Sequence, residues 1–201
     1  MKTQSQTTNT KGTLMPINAK NLSVCVFCGS RFGTEPAYKQ SAVDLGTGLA
    51  ERNMRLVYGA GDVGLMGAVA TAAQKAGGET FGVIPEHLLN WEVGKRDLSA
   101  FVVTETMHER KKVMFKNSDA IVVLPGGAGS LDEFFEVLTW AQLKLHAKPI
   151  ILVNVDGYWD PLLALVDHSV DKGFADASLK QLFVVDDTVE AVLDRLAPSD
   201  T

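Results

Sequence analysis

Residues 120–131, Ala120-Ile121-Val122-Val123-Leu124-Pro125-Gly126-Gly127-Ala128-Gly129-Ser130-Leu131, join an apolar run to a glycine turn and then to a helical pattern. The run has no polar face, which suits a strand only when helices cover both sides of its sheet. A second such run, Ile150-Ile151-Leu152-Val153, follows one helix later. Working outward, β-branched runs at 22–28, 55–58, 80–84, 101–103, 120–124, 149–153 and 182–185 alternate with longer amphipathic stretches. Those stretches cover 36–52, 64–76, 107–117, 131–143, 158–172 and 187–196. The alternation predicts a doubly wound α/β fold, Rossmann-like, with a mainly parallel sheet of about seven strands and helices on both faces. Residues 1–20 are polar and aperiodic and read as a disordered tail, leaving 21–201 as a single domain. Residues 85–99, PEHLLNWEVGKRDLS, break the rhythm and read as a long loop or short helix near the ligand-binding edge.

The composition agrees. With 46% apolar and 21% charged residues in 201, the chain is sized and furnished for one globular domain rather than for disorder. Nineteen Lys and Arg against 24 Asp and Glu give a net charge of −5, which weighs against a nucleic-acid polymer as partner. No run approaches the roughly 18 apolar residues of a membrane span. The first residues lack the apolar core of a secretory signal, so the expectation is a soluble, cytoplasmic protein. Cys25 and Cys28 form a C-x-x-C inside the first apolar run. Residues three apart on a strand face opposite ways, and no second Cys or His pair completes a zinc site. They read as two small buried residues, with no metal centre.

In such a sheet, ligands bind outside the carboxyl ends of the strands. The glycines gather at three strand-to-helix turns there: Gly29 and Gly33, then Gly59, Gly61 and Gly64, then Gly126, Gly127 and Gly129. A glycine turn that opens a helix presents free N–H groups and the positive end of the dipole to an anion. Three together imply a phosphorylated ligand. The second turn matches the dinucleotide pattern G-x-G-x-x-G, but it follows the second strand, and only Glu86 stands where the ribose-binding acid would be. Its glycines therefore read as helix–strand packing with some ligand contact.

In the third turn, Ser130 and Glu133 have the spacing of a capping box. The same spacing places a carboxylate in a first helical turn, where the dipole favours its ionised form, beside a phosphate-cradling loop. Asp132 points about 100° away round the helix. A fourth cluster, Met107-His108-Glu109-Arg110-Lys111-Lys112, also opens a helix. A charge run usually marks a solvated face, but bases in a first turn oppose the dipole and need a reason such as a facing phosphate. His108 alone reads as a surface or hydrogen-bonded residue.

Together these residues carry a resemblance. Met107-His108-Glu109-Arg110-Lys111 followed by Pro125-Gly126-Gly127-Ala128-Gly129-Ser130-Leu131-Asp132-Glu133 resembles the paired signature of the LONELY GUY (LOG) family. Members are cytokinin riboside 5′-monophosphate phosphoribohydrolases, often mislabelled lysine decarboxylases. The likeness runs from about Val24 to Leu196. It includes Phe27-Cys28-Gly29-Ser30, Val63-Gly64-Leu65-Met66-Gly67, Thr139-Trp140-Ala141-Gln142-Leu143 and Asn154-Val155-Asp156-Gly157-Tyr158. The family writes PGGxGTxxE; here Ser130 replaces the threonine and keeps its hydroxyl. Ala60 replaces the middle of three glycines, and Asp132 stands where Glu is common.

The resemblance implies hydrolysis of the N-glycosidic bond of AMP or an N6-substituted AMP to free base and ribose 5-phosphate, without metal or organic cofactor. It implies Glu133 as the carboxylate facing the positive charge that builds on the ribose, and Arg110 as its partner through a charge-assisted bond. Gly126, Gly127, Gly129 and Ser130 would grip the phosphate. Ser30 and Met107 would lie nearer the base, with Gly29, Glu92, Lys111, Ala128, Leu131, Asp132 and Thr139 as further substrate contacts. A homodimer with sites near the interface is implied, the helix bearing Phe134, Phe135, Leu138, Trp140 and Leu143 giving part of the face unless its own core buries it. The alternatives are an AMP nucleosidase and a non-catalytic nucleotide or molybdenum-cofactor carrier on the same fold. A carrier has no need of the Arg110–Glu133 pair.

Overall fold

The computed structural model describes residues 22–89 and 97–197. Among these residues seven strands form one sheet: β1 (Ser23–Phe27), β2 (Arg55–Tyr58), β3 (Thr80–Pro85), β4 (Ala100–Thr104), β5 (Ala120–Val123), β6 (Ile150–Val153) and β7 (Val184–Asp186). Their order is β4-β3-β2-β1-β5-β6-β7, and every pairing is parallel. The expected doubly wound sheet is therefore present. The chain builds outward from β1 to β4, then returns to the other side of β1 with β5. That reversal makes the β1–β5 boundary the topological switch point, outside which such sheets bind ligands.

Side-chain alternation along the central strands explains the two-sided core. Val24, Val26 and Cys28 face α1 (Pro36–Glu51), α2 (Gly64–Lys75) and α6 (Val189–Leu196). Cys25 and Phe27 face the other way, into the layer of α3 (Met107–Lys116), α4 (Ala128–Gln142) and α5 (Asp160–Asp171). The two cysteines are thus buried on opposite faces and unbonded, and burial pushes both thiols up.

Element limits depart from the sequence reading where the local backbone overrides the apolar period. Helix α4 begins at Ala128, one turn before the expected residue 131. Its first turn (Ala128, Gly129) is exposed and so carries no apolar signal. Helix α5 begins at Asp160 rather than 158, because Asp156 takes a left-handed φ of 51° inside a 3-10 turn at Val155–Gly157. A further 3-10 turn at Ala177–Gln181, started by Asp176 accepting from the Ser178 N–H, was not anticipated. The irregular segment opens with a 3-10 turn at Glu86–Leu88. The tail at 1–20 and Glu92 lie outside the described residues.

Candidate active site

At the switch point the turns after β1 and β5 are tied together. The Gly29 N–H donates to the Pro125 carbonyl at 3.0 Å, and the Leu65 N–H donates to the Gly29 carbonyl at 3.0 Å. The crevice between them measures about 350 Å³ and is lined by Ser30, Phe32, Tyr38, Gly126, Gly127 and Tyr158, among others. Helix α4 leaves it with Gly127 as its N-cap and no side chain capping its N–H groups. Gly127 and Gly129 have open space where a Cβ would stand, so nothing shields the backbone from a ligand. Free N–H groups, a helix dipole and exposed glycines are the features that an anion site requires.

The capping box expected between Ser130 and Glu133 is not formed. Because α4 starts earlier, Ser130 is the third residue of the helix and packs its hydroxyl over Gly126, while Glu133 is the sixth. Both are buried, Ser130 at 3% and Glu133 at 9% exposure. Glu133 is thus beyond the first turn, and burial, not the dipole, sets its proton affinity. Burial pushes the Glu133 carboxyl up to about 7; the Arg110 guanidinium pulls against that shift and Asp132 adds to it. This reverses the expected preference for the ionised form. Glu133 lies about 9 Å along the helix axis from Gly127, and helical side chains lean back toward the N-terminus.

The box is found instead on α3. The Thr106 hydroxyl accepts from the Glu109 N–H at 3.1 Å, and Glu109 Oε2 accepts from the Thr106 N–H at 3.3 Å. The charge run resolves accordingly: His108 and Lys112 are exposed, Glu109 caps, and Arg110 and Lys111 are buried at 6% each. The T-E-T-M-H-E spacing at 104–109 carried that signal.

Arg110 reaches the carboxyl ends of β2 and β3, donating from Nη2 to the Gly59 carbonyl at 3.0 Å and from Nε to the Val83 carbonyl at 3.1 Å. Its Nη1 is 3.9 Å from the sulfur of half-buried Met107. No ion pair within 4 Å joins Arg110 to Glu133; the guanidinium acts on that carboxyl through space. Neither side chain lines the crevice above, although both stand at its carboxyl-end edge of the sheet. The second glycine turn packs closely on its neighbours, as its place after the second strand suggested. Gly64, with φ +59°, lies against the Ser30–Arg31 backbone, and Gly59 leaves room for the guanidinium. Ala60, the non-glycine member, is forced to a φ of 57°, a left-handed conformation costing an L residue about 1–2 kcal/mol.

Lys111 is not free to meet an anion. Its ammonium sits 2.9 Å from Asp132 Oδ2 and 3.2 Å from Glu136 Oε1, bridging α3 to α4. Burial would lower its proton affinity, but the hydrogen bonds to Asp132 and Glu136 outweigh it and hold the amine charged. A Schiff-base lysine needs the opposite. Leu131 is half-buried, and Thr139 is exposed about 16 Å along the α4 axis from its start, away from the crevice. Among the described residues, no group of three or more His, Cys, Asp or Glu is placed to hold a metal. No helix there is long and apolar enough to cross a membrane.

A parallel sheet with a glycine turn opening a helix at its switch point defines a doubly wound α/β protein. The family model described as "Possible lysine decarboxylase" matches residues 66–196. The rice protein named "Probable cytokinin riboside 5'-monophosphate phosphoribohydrolase LOG4" is 46% identical over 174 residues, 87% of this chain and 76% of its own. "Cytokinin riboside 5'-monophosphate phosphoribohydrolase LOG1" of Arabidopsis thaliana is 41% identical, covering 90% and 85%. The chain belongs to this LOG family. Among solved structures, the molybdenum cofactor binding protein of Rippkaea orientalis matches with a TM-score of 0.67 at 21% identity, over 88% of this chain and 96% of that one. At that identity the match speaks for the fold alone.

Proposed function

We propose that this chain hydrolyses the N-glycosidic bond of AMP or an N6-substituted AMP, releasing the base and ribose 5-phosphate. The observation that carries the reading is the position of Glu133: a buried carboxyl, poised near 7, one and a half turns beyond an uncapped glycine N-terminus. The activity named for relatives at 41% and 46% identity supports it, and those relatives do not favour the carrier alternative.

In this reading the phosphate rests on the N–H groups at Gly127, Ala128 and Gly129, with the Ser130 hydroxyl beside it. Gly29, Ser30 and Met107 border the base. As the C1′–N bond breaks, its electron pair leaves with the base and positive charge grows on the ribose. The Glu133 carboxylate faces that charge, which lowers the barrier electrostatically. Water then adds its hydroxyl to C1′, and its other proton ends on the base nitrogen that left with the electron pair. Arg110, fixed by two backbone carbonyls, holds the ionised form of Glu133 in reach and offers Nη1 to the substrate. Binding energy from the remote phosphate positions the scissile bond, so a nucleoside without it is a poor substrate.

Pure protein incubated with AMP and with N6-isopentenyl-AMP tests the reading, with free base followed by chromatography. Base released from the substituted nucleotide supports the cytokinin-activating type, and release from AMP alone supports a nucleosidase. Binding of both without release of base would sink the enzyme reading.

Further parts of the proposal have separate supports. The catalytic domain spans 21–201, since strands from Ser23 to Asp186 join one sheet. The chain forms a homodimer through the apolar side chains α4 leaves outside: Phe135, with Leu143 and Leu145 at 64% and 69% exposure beyond its end. Phe134 and Leu138 belong to the core instead. Buried, unbonded cysteines suit the cytoplasm. The net charge of −5 leaves a single nucleotide, not a nucleic-acid polymer, as ligand.

A further inference from the structure

The segment Asn154-Val155-Asp156-Gly157-Tyr158 is a sequence motif to which the mechanism above gives no work. It leaves β6, the neighbour of β5, so it emerges beside the phosphate loop. Its backbone is unusual: Asp156 and Gly157 are both left-handed, at φ 51° and 71°. Aspartate and glycine are the residues that tolerate this region. The bend is pinned on both sides. Asn154 Oδ1 accepts from the Trp159 N–H at 2.7 Å, and Asn154 Nδ2 donates to Asp160 Oδ1 at 2.9 Å. A Cβ on Gly157 would stand 2.7 Å from the Asp160 carboxylate.

The result of this bend is that Tyr158 lines the crevice and its hydroxyl donates to the Gly126 carbonyl at 2.6 Å. The ring is held in place. It packs edge-to-face on Trp159 at 4.7 Å and on Tyr38 at 5.4 Å, and Tyr38 in turn fills the space beside Gly33 of the first glycine turn.

We propose that Tyr158 is a positioning residue for the substrate phosphate, its hydroxyl fixing and polarising the Gly126–Gly127 peptide so that the Gly127 N–H becomes a stronger, preset donor. In a planar trans peptide the carbonyl and the following N–H point in opposite directions. A tyrosine that anchors the Gly126 oxygen therefore also sets the direction of the Gly127 N–H at the helix cap. A carbonyl that accepts a hydrogen bond strengthens the donor on its own amide, by about 10–30% per bond. Glycine needs such a clamp more than other residues do, because its unbound backbone visits many conformations. The inference rests on the phosphoribohydrolase reading for the identity of the phosphate, and ribose 5-phosphate serves as a probe that needs no turnover.

The test compares the whole chain with Tyr158→Phe, which removes the hydroxyl alone. Ribose 5-phosphate titrated calorimetrically should bind about three- to tenfold more weakly to the variant, the loss expected for one hydrogen bond. Competition by adenosine, which lacks the phosphate, should be unchanged, and KM for the nucleotide should rise by the same factor with little change in kcat. A purely structural tyrosine would weaken adenosine and ribose 5-phosphate alike, or move only the melting temperature; either result overturns the proposal, as does unchanged ribose 5-phosphate affinity. Tyr38→Leu, which removes the brace but keeps the hydroxyl, should weaken ribose 5-phosphate in the same sense even if Tyr158→Phe folds poorly. Should the wild type bind ribose 5-phosphate in this Tyr158-dependent way yet release no base, the activity reading fails while the positioning role stands.

Discussion

Arg110 occupies the space that a side chain on Gly59 would need: a Cβ built there overlaps Nη2, and the same nitrogen donates to the Gly59 carbonyl at 3.0 Å. The glycine of an apparent dinucleotide fingerprint is thus a seat for the chain's own guanidinium. Gly59→Ala should push Arg110 from its place while leaving the phosphate loop intact. Turnover should fall about a hundredfold, the scale of a displacement of about 1 Å at a reacting centre. Ribose 5-phosphate affinity should change by less than about threefold, since the cap is untouched. Wild-type turnover in this variant would remove Arg110 from the mechanism.

Glu133→Gln should abolish base release and preserve phosphate binding, and it should also change the pH dependence of stability. The folded protein lifts this carboxyl from an ordinary 4.5 to about 7, so it binds the proton more tightly than the unfolded chain does. That contribution is fully present below 4.5 and is lost as pH rises through about 7. The variant carries no such proton. It should melt above the wild type at pH 8 by several degrees, at about 2–4 °C per kcal/mol for a domain of this size, and match it near pH 4.5. In the wild type, kcat/KM should climb through the same interval as the carboxylate forms. Melting curves that stay parallel across this range would mean the carboxyl is not held protonated.

Lys111→Met should act on stability more than on substrate. The ammonium is spent on Asp132 and Glu136, and its removal leaves Glu136, with its side chain at 22% exposure, without that partner. A loss of about 1–2 kcal/mol in urea unfolding is expected, with KM for the nucleotide within about threefold. A large rise in KM at unchanged stability would return Lys111 to the ligand contacts.

The fold was legible because the central strands are apolar on both faces, as Ile121-Val122-Val123 are, and because each is followed by glycine and then a helical period. The place of the candidate site was legible for the same reason: Gly126, Gly127 and Gly129 stand at a strand's carboxyl end. What spacing could not reveal was the helix start at Ala128, since an exposed first turn leaves no apolar trace, and so Glu133 was read one turn too near the dipole. The capping box at Thr106 and Glu109 was hidden inside what looked like a charge run. Nor could sequence distance tell that Lys111 pairs across 21 residues with Asp132, or that Tyr158 returns to Gly126 across 32. The second belongs to the sheet order, which brings the loops after β5 and β6 side by side, and the first to α3 and α4 sharing one layer over the sheet.

The position of β1 at the centre of that order has a consequence for the birth of the protein. Val24 pairs with Leu56 on one side and with Ala120 on the other, so its second edge waits for a partner 120 − 24 = 96 residues downstream. At ribosomal speeds of about 5–20 residues per second, that is an interval of about 5–20 s. Throughout it, one of the most apolar strands of the chain stands with an open row of N–H and C=O groups beside α1 and α2, which can shield its face but not its edge. The same strand that ends in the turn at Gly29 is therefore open to wrong partners along one edge while the chain is being made.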